Sequence, residues 1–456
     1  MSTVLHLSSE EINTIEKRGK YTVSVIGCGQ KGVLYATALA EAGFKVICTD
    51  ADQSLVRRLA KGKALFSERE VEAKLKNFMR TGQLSATNEL KSAVSQSDII
   101  IMTITAKIDD RKNPDYSEAE SSCKQVGAAL RRGALVIYGG IASFGFTEGI
   151  IKETLENTSG LRVGEDFGLA YNPLQIPDGQ LTESISNQEL TVAANDETSL
   201  NAASTVLGTI TKKGVKQILD VKTAELAALF AVARRDANVA LANELAVLCE
   251  NAGMDYFEIF RLLVPDTREI SFVPTIAEED SRNEAYLLLE TAENLNTKLR
   301  LTALARQINE TMVRHAVNLT QDVLRSCGKT LRRARVAVLG TTGPKTTADT
   351  FVKMLETKGA KVSIYDPLLS KNEPSDMTRA LKRSLNEAVE GTDCIVILTE
   401  HDQFKRLNLK KLRAVMKMPA AIVDLTGTIE PQKVEKEGFT YRGLGRGTGK
   451  KWKNWA

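Results

Sequence analysis

Apolar and polar positions change rhythm along this chain. From Tyr21, "TVSVIG" reads as a strand, "KGVLYATALAEAG" has helical spacing, and "KVICTD" reads as a strand again, a βαβ unit. The runs "SDIIIMTIT" (97–105) and "GALVIYGG" (133–140) are short and continuously apolar, as parallel strands buried on both faces require. "DFGLAYNP" (166–173) and "ELTVAAN" (189–195) add further strands. Residues 21–215 therefore predict one doubly wound α/β domain, after a short polar lead-in over 1–20. Between 216 and 330 the period becomes helical. Leu226, Leu229, Phe230, Ala233, Ala237, Leu241, Leu245 and Leu248 mark one long helix that Gly253 closes, and a second helical region runs from Glu284 to Arg325. Alternation returns in 331–456, where "RVAVLG", "KVSIYDP", "DCIVILTE" and "AAIVDLTG" predict four strands of a smaller α/β domain. A helix as long as the middle one often spans domains or forms a dimer interface.

Composition narrows the function classes. Apolar residues make up 43% and charged residues 26% of 456, ordinary for a globular protein with a sizeable core. The net charge of +4 is too balanced to point to nucleic acid, beyond a short basic tail, "GTGKKWKNWA", which reads as a frayed end or a surface contact. No apolar run is long enough to span a membrane, and the N-terminus lacks the apolar core of a signal peptide. The six cysteines are scattered without a CxxC pair, which predicts reduced thiols and a cytoplasmic protein. Three histidines without HExxH or a Cys/His cluster predict no metal site.

Gly27, Gly29 and Gly32 form G-x-G-x-x-G, with Gln30 and Lys31 between the last two. A lone match is weak, but this one follows an apolar strand, opens a helix, and is followed by Asp50 at the end of the next strand. Gly27 permits the tight turn, Gly29 lets backbone approach a pyrophosphate, and Gly32 lets helix and strand pack closely. The helix start offers free N–H groups to phosphates. Asp50 would accept hydrogen bonds from ribose hydroxyls and repel a 2′-phosphate, so the expected cofactor is NAD. Thr103 and Thr105 end a strand at the same sheet edge, either beside the cofactor's ribose and nicotinamide or as ordinary strand-end threonines. The fold expected is two Rossmann-like doubly wound α/β domains joined by a long-helix middle domain.

Six segments in order resemble the UDP-glucose/GDP-mannose dehydrogenase family: "VIGCGQKG…ALAEAGFKVICTDAD", "GEDFGLAYNP", "NVALANELAVLCENAGMD", "YDP", "TEHDQF" and "FTYRGLGRG". The resemblance covers nearly the whole chain. It implies NAD in the N-terminal domain, a nucleotide sugar mainly in the C-terminal one, and a homodimer through the central helix. It also implies two successive NAD-dependent oxidations of a primary alcohol, the second through a cysteine thiolate, with a lysine and an asparagine on the central helix stabilising the oxygen.

This sequence departs from the family where that chemistry lies. Its lysine and asparagine positions fall on Ala228 and Val232, and its cysteine position falls near Asp280 in "FVPTIAEEDSRNEAYLLL". The glutamate of its "PER" is Leu174, its Glu-Ser-Thr loop is Gly139-Gly140-Ile141, and its "KPxxDDxRxS" loop is shortened to "GTTGPKTTADT". Cys249, the one cysteine between 124 and 326, has core spacing. The expectation is a dehydrogenase acting on a CH–OH group without the thiohemiacetal route, or a relative that binds NAD or a nucleotide sugar without turnover. Substrate-side candidates are Arg235, which matches an arginine frequent in the family and also suits a structural or dimer contact, Lys345 in the shortened loop, and Arg446 in "GLGRG". Glu278, Glu279, Asp280 and Glu284 form an acidic loop that reads as a general base, as a contact for a cationic substrate, or as a solvated loop.

Overall fold

The computed structural model describes residues 4–64, 69–109, 111–174, 185–263, 273–276, 283–340, 347–367 and 380–447. The chain forms two compact units, Met1–Val232 with Glu284–Lys298, and Ala233–Asn283 with Leu299–Ala456.

In the first unit the strands in chain order are β1 (Thr22–Ile26), β2 (Lys45–Thr49), β3 (Leu84–Thr87), β4 (Ile99–Met102), the small hairpin β5 (Lys107–Ile108) and β6 (Pro114–Asp115), then β7 (Leu135–Tyr138), β8 (Gly168–Tyr171), β9 (Leu190–Ala193) and β10 (Val215–Ile218). Eight of them form one sheet in the order β10-β9-β8-β7-β4-β1-β2-β3, parallel from β3 to β8. β8 meets β9 antiparallel. The apolar runs are explained by burial on both faces. Ile99, Ile101, Leu135 and Ile137 enter one core layer, while Ile100, Met102, Val136 and Tyr138 enter the other. The segment before β1 is polar by composition, yet it packs Val4, Leu7 and Ile12 into the first of these layers.

The second unit repeats the principle on a smaller scale. β11 (Arg335–Leu339), β12 (Lys361–Tyr365), β13 (Cys394–Ile397), β14 (Ala421–Asp424) and β15 (Thr440–Gly443) form a wholly parallel sheet in the order β12-β11-β13-β14-β15. Val336, Val338 and Val396 pack on the side that receives Val317, Val323 and Leu324 of helix Arg300–Ser326. Ala337, Leu339 and Ile397 pack on the other with Phe404 and Leu412.

The central helix runs Val221–Ala252 and ends at Gly253, whose φ of 71° suits glycine at that place. Its apolar pattern does not sort into one core face. In the second unit the residues it buries are Val239 and otherwise small or polar ones: Asp236, Ala240, Ala242, Asn243, Ala246 and Cys249. Leu241, Leu245 and Leu248 are instead exposed, at helical spacing. The polar members are bonded internally. Arg306 Nη1 donates to Asp236 Oδ1 at 2.8 Å, Asn309 Nδ2 donates to the same oxygen at 2.9 Å, and Asn243 Nδ2 donates to Asn309 Oδ1 at 2.9 Å. No helix among the described residues is long and apolar enough to cross a membrane.

Candidate functional site

The carboxyl ends of β1, β2, β4 and β7 meet where the strand order reverses, between β1 and β4. In a sheet of this topology that edge is the ligand crevice. Each glycine of the motif has a distinct local cause. Gly27 turns with φ 94°, and a Cβ there would lie 2.8 Å from Thr103 Oγ1. Gly32 brings its helix so close that a Cβ would lie 1.8 Å from the Gly27 carbonyl oxygen. Gly29 is different: a Cβ there would meet nothing of the protein within 4 Å, and its backbone (φ −68°, ψ −169°) is open to any residue. The chain is therefore free of side-chain bulk at Gly29 on its open side, the side from which a phosphate would approach.

Gly29 is the N-cap of helix Gln30–Ala42, whose first turn holds no acidic residue. The N–H groups of that first turn have no intrahelical acceptors. Asp50, one residue past β2, accepts from the Cys28 N–H at 2.7 Å through Oδ2 and from the Asp52 N–H at 2.9 Å through Oδ1, which ties the motif to the next strand. The Thr103 hydroxyl lies 3.0 Å from the carbonyl oxygens of both Ile26 and Gly27 and braces the turn from β4. The Thr105 side chain lies against Gly140, where a Cβ would be 2.9 Å from Thr105 Cγ2. Gly27, Gly29, Gln30, Lys31, Gly32, Asp50, Thr103 and Thr105 thus line or brace one sheet edge. A backbone open at Gly29, unpaired helix N–H groups and an acidic residue at the next strand are a donor set that fits an adenine dinucleotide without a 2′-phosphate.

The positions where the resemblance implies charge carry apolar or small side chains that are buried. Ile141, Leu174, Ala228 and Val232 are each at most 2% exposed. Asp280 and Lys345 lie outside the described residues, as do Glu278 and Glu279. All six cysteines are buried and unpaired by disulfides. Burial pushes the Cys123 thiol up to about 12, and it raises Cys249 and Cys394 as well. Cys28 is raised by its contact with Cys48 and then by burial. None of these four favours the thiolate that a nucleophile needs.

Polar groups that motif reading does not connect are gathered nearby. Lys31 Nζ lies 2.9 Å from Glu284 Oε1, with the two side chains 16% and 9% exposed. Glu284 is therefore a buried ion-pair partner and no part of a solvated loop. Tyr116, Ser143 and Glu290 bond to one another, Ser143 Oγ donating to Glu290 Oε2 at 3.0 Å, and burial raises the Tyr116 phenol. Glu225, on the central helix, accepts from the Gly145 N–H at 2.6 Å and the Thr147 N–H at 2.9 Å; burial raises its carboxyl above the ordinary value. A sequence signal exists only for Glu284, which stands four residues past a cluster of acids.

In the second unit Arg446 follows β15. Its Nη1 donates to Asp255 Oδ2, and its guanidinium carbon lies 4.6 Å from the centre of the Phe257 ring. Its Nε is buried without a partner among the described residues. Arg235 is half-buried on the central helix, beside the buried Asp236. Among the described residues no group of three or more His, Cys, Asp or Glu could hold a metal ion.

Comparison with known proteins agrees with this architecture. Three domains of the UDP-glucose/GDP-mannose dehydrogenase family match in order: the NAD-binding domain over residues 21–211, the central domain over 222–311, and the UDP-binding domain over 345–431. The chain is 30% identical over 434 residues to the UDP-N-acetyl-D-mannosamine dehydrogenase of Pyrococcus horikoshii, covering 93% of this chain and 99% of that protein. It is 26% identical to the UDP-glucose 6-dehydrogenase of Rhizobium meliloti, covering 93% and 99%. The solved structure of the Pyrococcus horikoshii UDP-D-ManNAc dehydrogenase superposes with a TM-score of 0.77 at 28% identity, covering 94% of this chain and all of that one. A UDP-glucose dehydrogenase structure from Pyrobaculum islandicum shares the fold, with a TM-score of 0.74 at 21% identity over 93% and 98% of the two chains. The order of the three domains, their span and this degree of identity make the chain a member of the UDP-glucose/GDP-mannose dehydrogenase family, an NAD-binding oxidoreductase family.

Proposed function

We propose that this chain is an NAD-dependent oxidoreductase that oxidises a CH–OH group of a nucleotide sugar in a single two-electron step, without the cysteine-dependent second oxidation. The observation that carries the reading is the contrast between the cofactor cradle and the positions where the family resemblance implies charge. The dinucleotide cradle is built at every position from Gly27 to Asp50, while Ile141, Leu174, Ala228 and Val232 present buried apolar side chains. In this reading the backbone of Gly27, Gly29, Gln30, Lys31 and Gly32 holds the pyrophosphate, Asp50 holds the adenosine ribose, and Thr103 and Thr105 brace the nicotinamide half. Bound NAD supplies the hydride acceptor. The protein fixes the cofactor through helix N–H groups and keeps thiols out of the site, so an aldehyde or ketone is the end product.

Arg446 and Arg235 are the described residues assigned to the substrate side. The family's UDP-binding domain and the relatives' names support a nucleotide sugar as substrate class. The exposed Leu241, Leu245 and Leu248 support a homodimer through the central helix. The buried, unpaired cysteines suit a cytoplasmic setting.

The test is NAD binding by calorimetry, followed by NADH formation over a panel of UDP- and GDP-sugars, with the product identified by mass spectrometry. Binding with NADH formation and a carbonyl product supports the reading. A uronic acid product overturns the single-step assignment. Binding without NADH formation on any sugar favours the second reading that the apolar centre allows, a relative that holds NAD or a nucleotide sugar as a sensor or partner subunit.

A further inference from the structure

We infer that Lys31 and Glu284 are the proton-handling pair of this oxidation, supplying from the cradle helix the charge that the central helix lacks at Ala228 and Val232. The inference rests on the oxidoreductase reading above and deepens it. Lys31 is the second residue of helix Gln30–Ala42, and a side chain in the first turn leans toward the helix N-terminus. One turn later, on the same face, stands Tyr35. Its hydroxyl donates to Asn172, which follows β8, and its ring touches Gly139, which follows β7. The Lys31 face of the helix therefore looks toward the ends of β7 and β8, whereas Asp50 lies at β2, on the far side of β1. A dinucleotide held with its adenosine ribose at Asp50 and its pyrophosphate on the helix start would have its nicotinamide on the Lys31 side.

The pair is also set apart from the other buried carboxylates of this unit. Both Glu225 oxygens are taken by backbone N–H groups, and the half-buried Glu290 is held by two hydroxyls through Oε2, with no cation beside it among the described residues. For Glu284, Lys31 is the one side-chain partner among the described residues. Its carboxylate is thus placed to accept a proton while the ammonium stays beside it. The step balances as follows. The substrate hydroxyl gives its proton to Glu284, the carbinol hydrogen leaves with its electron pair for the nicotinamide of NAD, and the C–O bond becomes C=O. The Lys31 ammonium donates to that oxygen as negative charge builds on it. On product release the Glu284 carboxylic acid returns its proton to water.

Two variants, Lys31→Met and Glu284→Gln, test this in the full-length protein. Each is expected to lower kcat at least about 100-fold with KM within roughly threefold, and Lys31→Arg is expected to recover part of the loss. Circular dichroism and NAD calorimetry confirm that the variants are folded and still bind cofactor. A readout independent of turnover is the rate at which an amine-reactive reagent modifies Lys31, located by peptide mass spectrometry. NAD is expected to slow it at least about tenfold, and adenosine, which fills only the Asp50 end, to leave it unchanged. If the wild type turns over while both variants keep kcat within roughly threefold, or if NAD leaves Lys31 labelling unchanged, the assignment is overturned. Full protection by NAD without turnover of any substrate overturns the oxidoreductase reading, and the proton-handling role with it, while placing Lys31 at the nicotinamide end.

Discussion

Gly29 and Gly32 stand three residues apart in one motif, and the structure assigns them opposite responses to substitution. Gly29→Asp places a carboxylate at an N-cap whose backbone is already extended and whose Cβ would touch nothing within 4 Å. Asp is a better N-cap than Gly, and its charge suits a helix start, so stability should hold or rise by about 0.3–1 kcal/mol. The same carboxylate lies where a pyrophosphate would approach. One unit charge about 5 Å from another costs between about 0.8 kcal/mol in bulk water and about 3 kcal/mol near a protein surface. Two phosphate charges then predict a loss in NAD affinity of about 2–7 kcal/mol, at least about 15-fold. Gly32→Ala does the reverse at its origin: its Cβ would lie 1.8 Å from the Gly27 carbonyl oxygen, backbone that cannot swing away. The helix must move off the turn, at about 1–3 kcal/mol or more. Calorimetry with NAD and urea unfolding monitored by circular dichroism separate the two. A folded Gly29→Asp protein that binds NAD as tightly as the wild type would refute the cradle. A Gly32→Ala protein as stable as the wild type would refute the close packing that the motif is said to serve.

Glu225 gives a pH signature. Burial raises its carboxyl in the folded state, so the folded chain holds this proton more tightly than the unfolded one. Its contribution to stability is then full below the ordinary carboxylate range and declines as pH climbs from that range through the raised value. Glu225→Gln should flatten that part of the urea-midpoint profile, and an unchanged slope would assign the pH dependence to other groups. Leu248→Glu, on the exposed face of the central helix, should convert a dimer to monomers in sedimentation velocity; an unaltered dimer would move the interface elsewhere.

Most strands were legible because burial on both faces writes a continuous apolar run. Ile99–Met102, Leu135–Tyr138 and Cys394–Ile397 are buried at every position. In the two large sheets the strands that apolar runs do not reveal, Leu84–Thr87, Val215–Ile218 and Thr440–Gly443, are edge strands with exposed or half-exposed positions, and the hairpin Lys107–Ile108 and Pro114–Asp115 is too short to write a run. An edge strand has a neighbour on one side only, so half its signal is missing. The central helix misled in another way. Leucine spacing marks a helix whichever face is buried, and in the second unit mostly small and polar residues fill the inside while Leu241, Leu245 and Leu248 stay outside. A polar interior held by Asp236, Asn243, Arg306 and Asn309 has no hydrophobic signature at all.

The same division holds at the candidate site. The cradle is local: Gly27 to Asp50 is one βαβ unit, and each glycine's role follows from its neighbours in sequence. The charged groups are not local, since Lys31 meets Glu284 across 253 positions and Tyr116 meets Glu290 across 174. Composition cannot rank the carboxylates Glu225, Glu284 and Glu290, which all look alike as letters. Their partners rank them. Glu225 is consumed by the backbone of the turn it anchors, and Glu290 is held by two hydroxyls, whereas Glu284 faces a single ammonium that itself rises from the cofactor cradle. A carboxylate with a free oxygen next to a fixed cation is the arrangement this proton transfer needs; Glu225 has no free oxygen, and Glu290 has no cation beside it among the described residues. If chemistry survives in this crevice, the occupancy of these side chains directs it to Glu284, although the positions the family resemblance singles out lie at Ala228 and Val232.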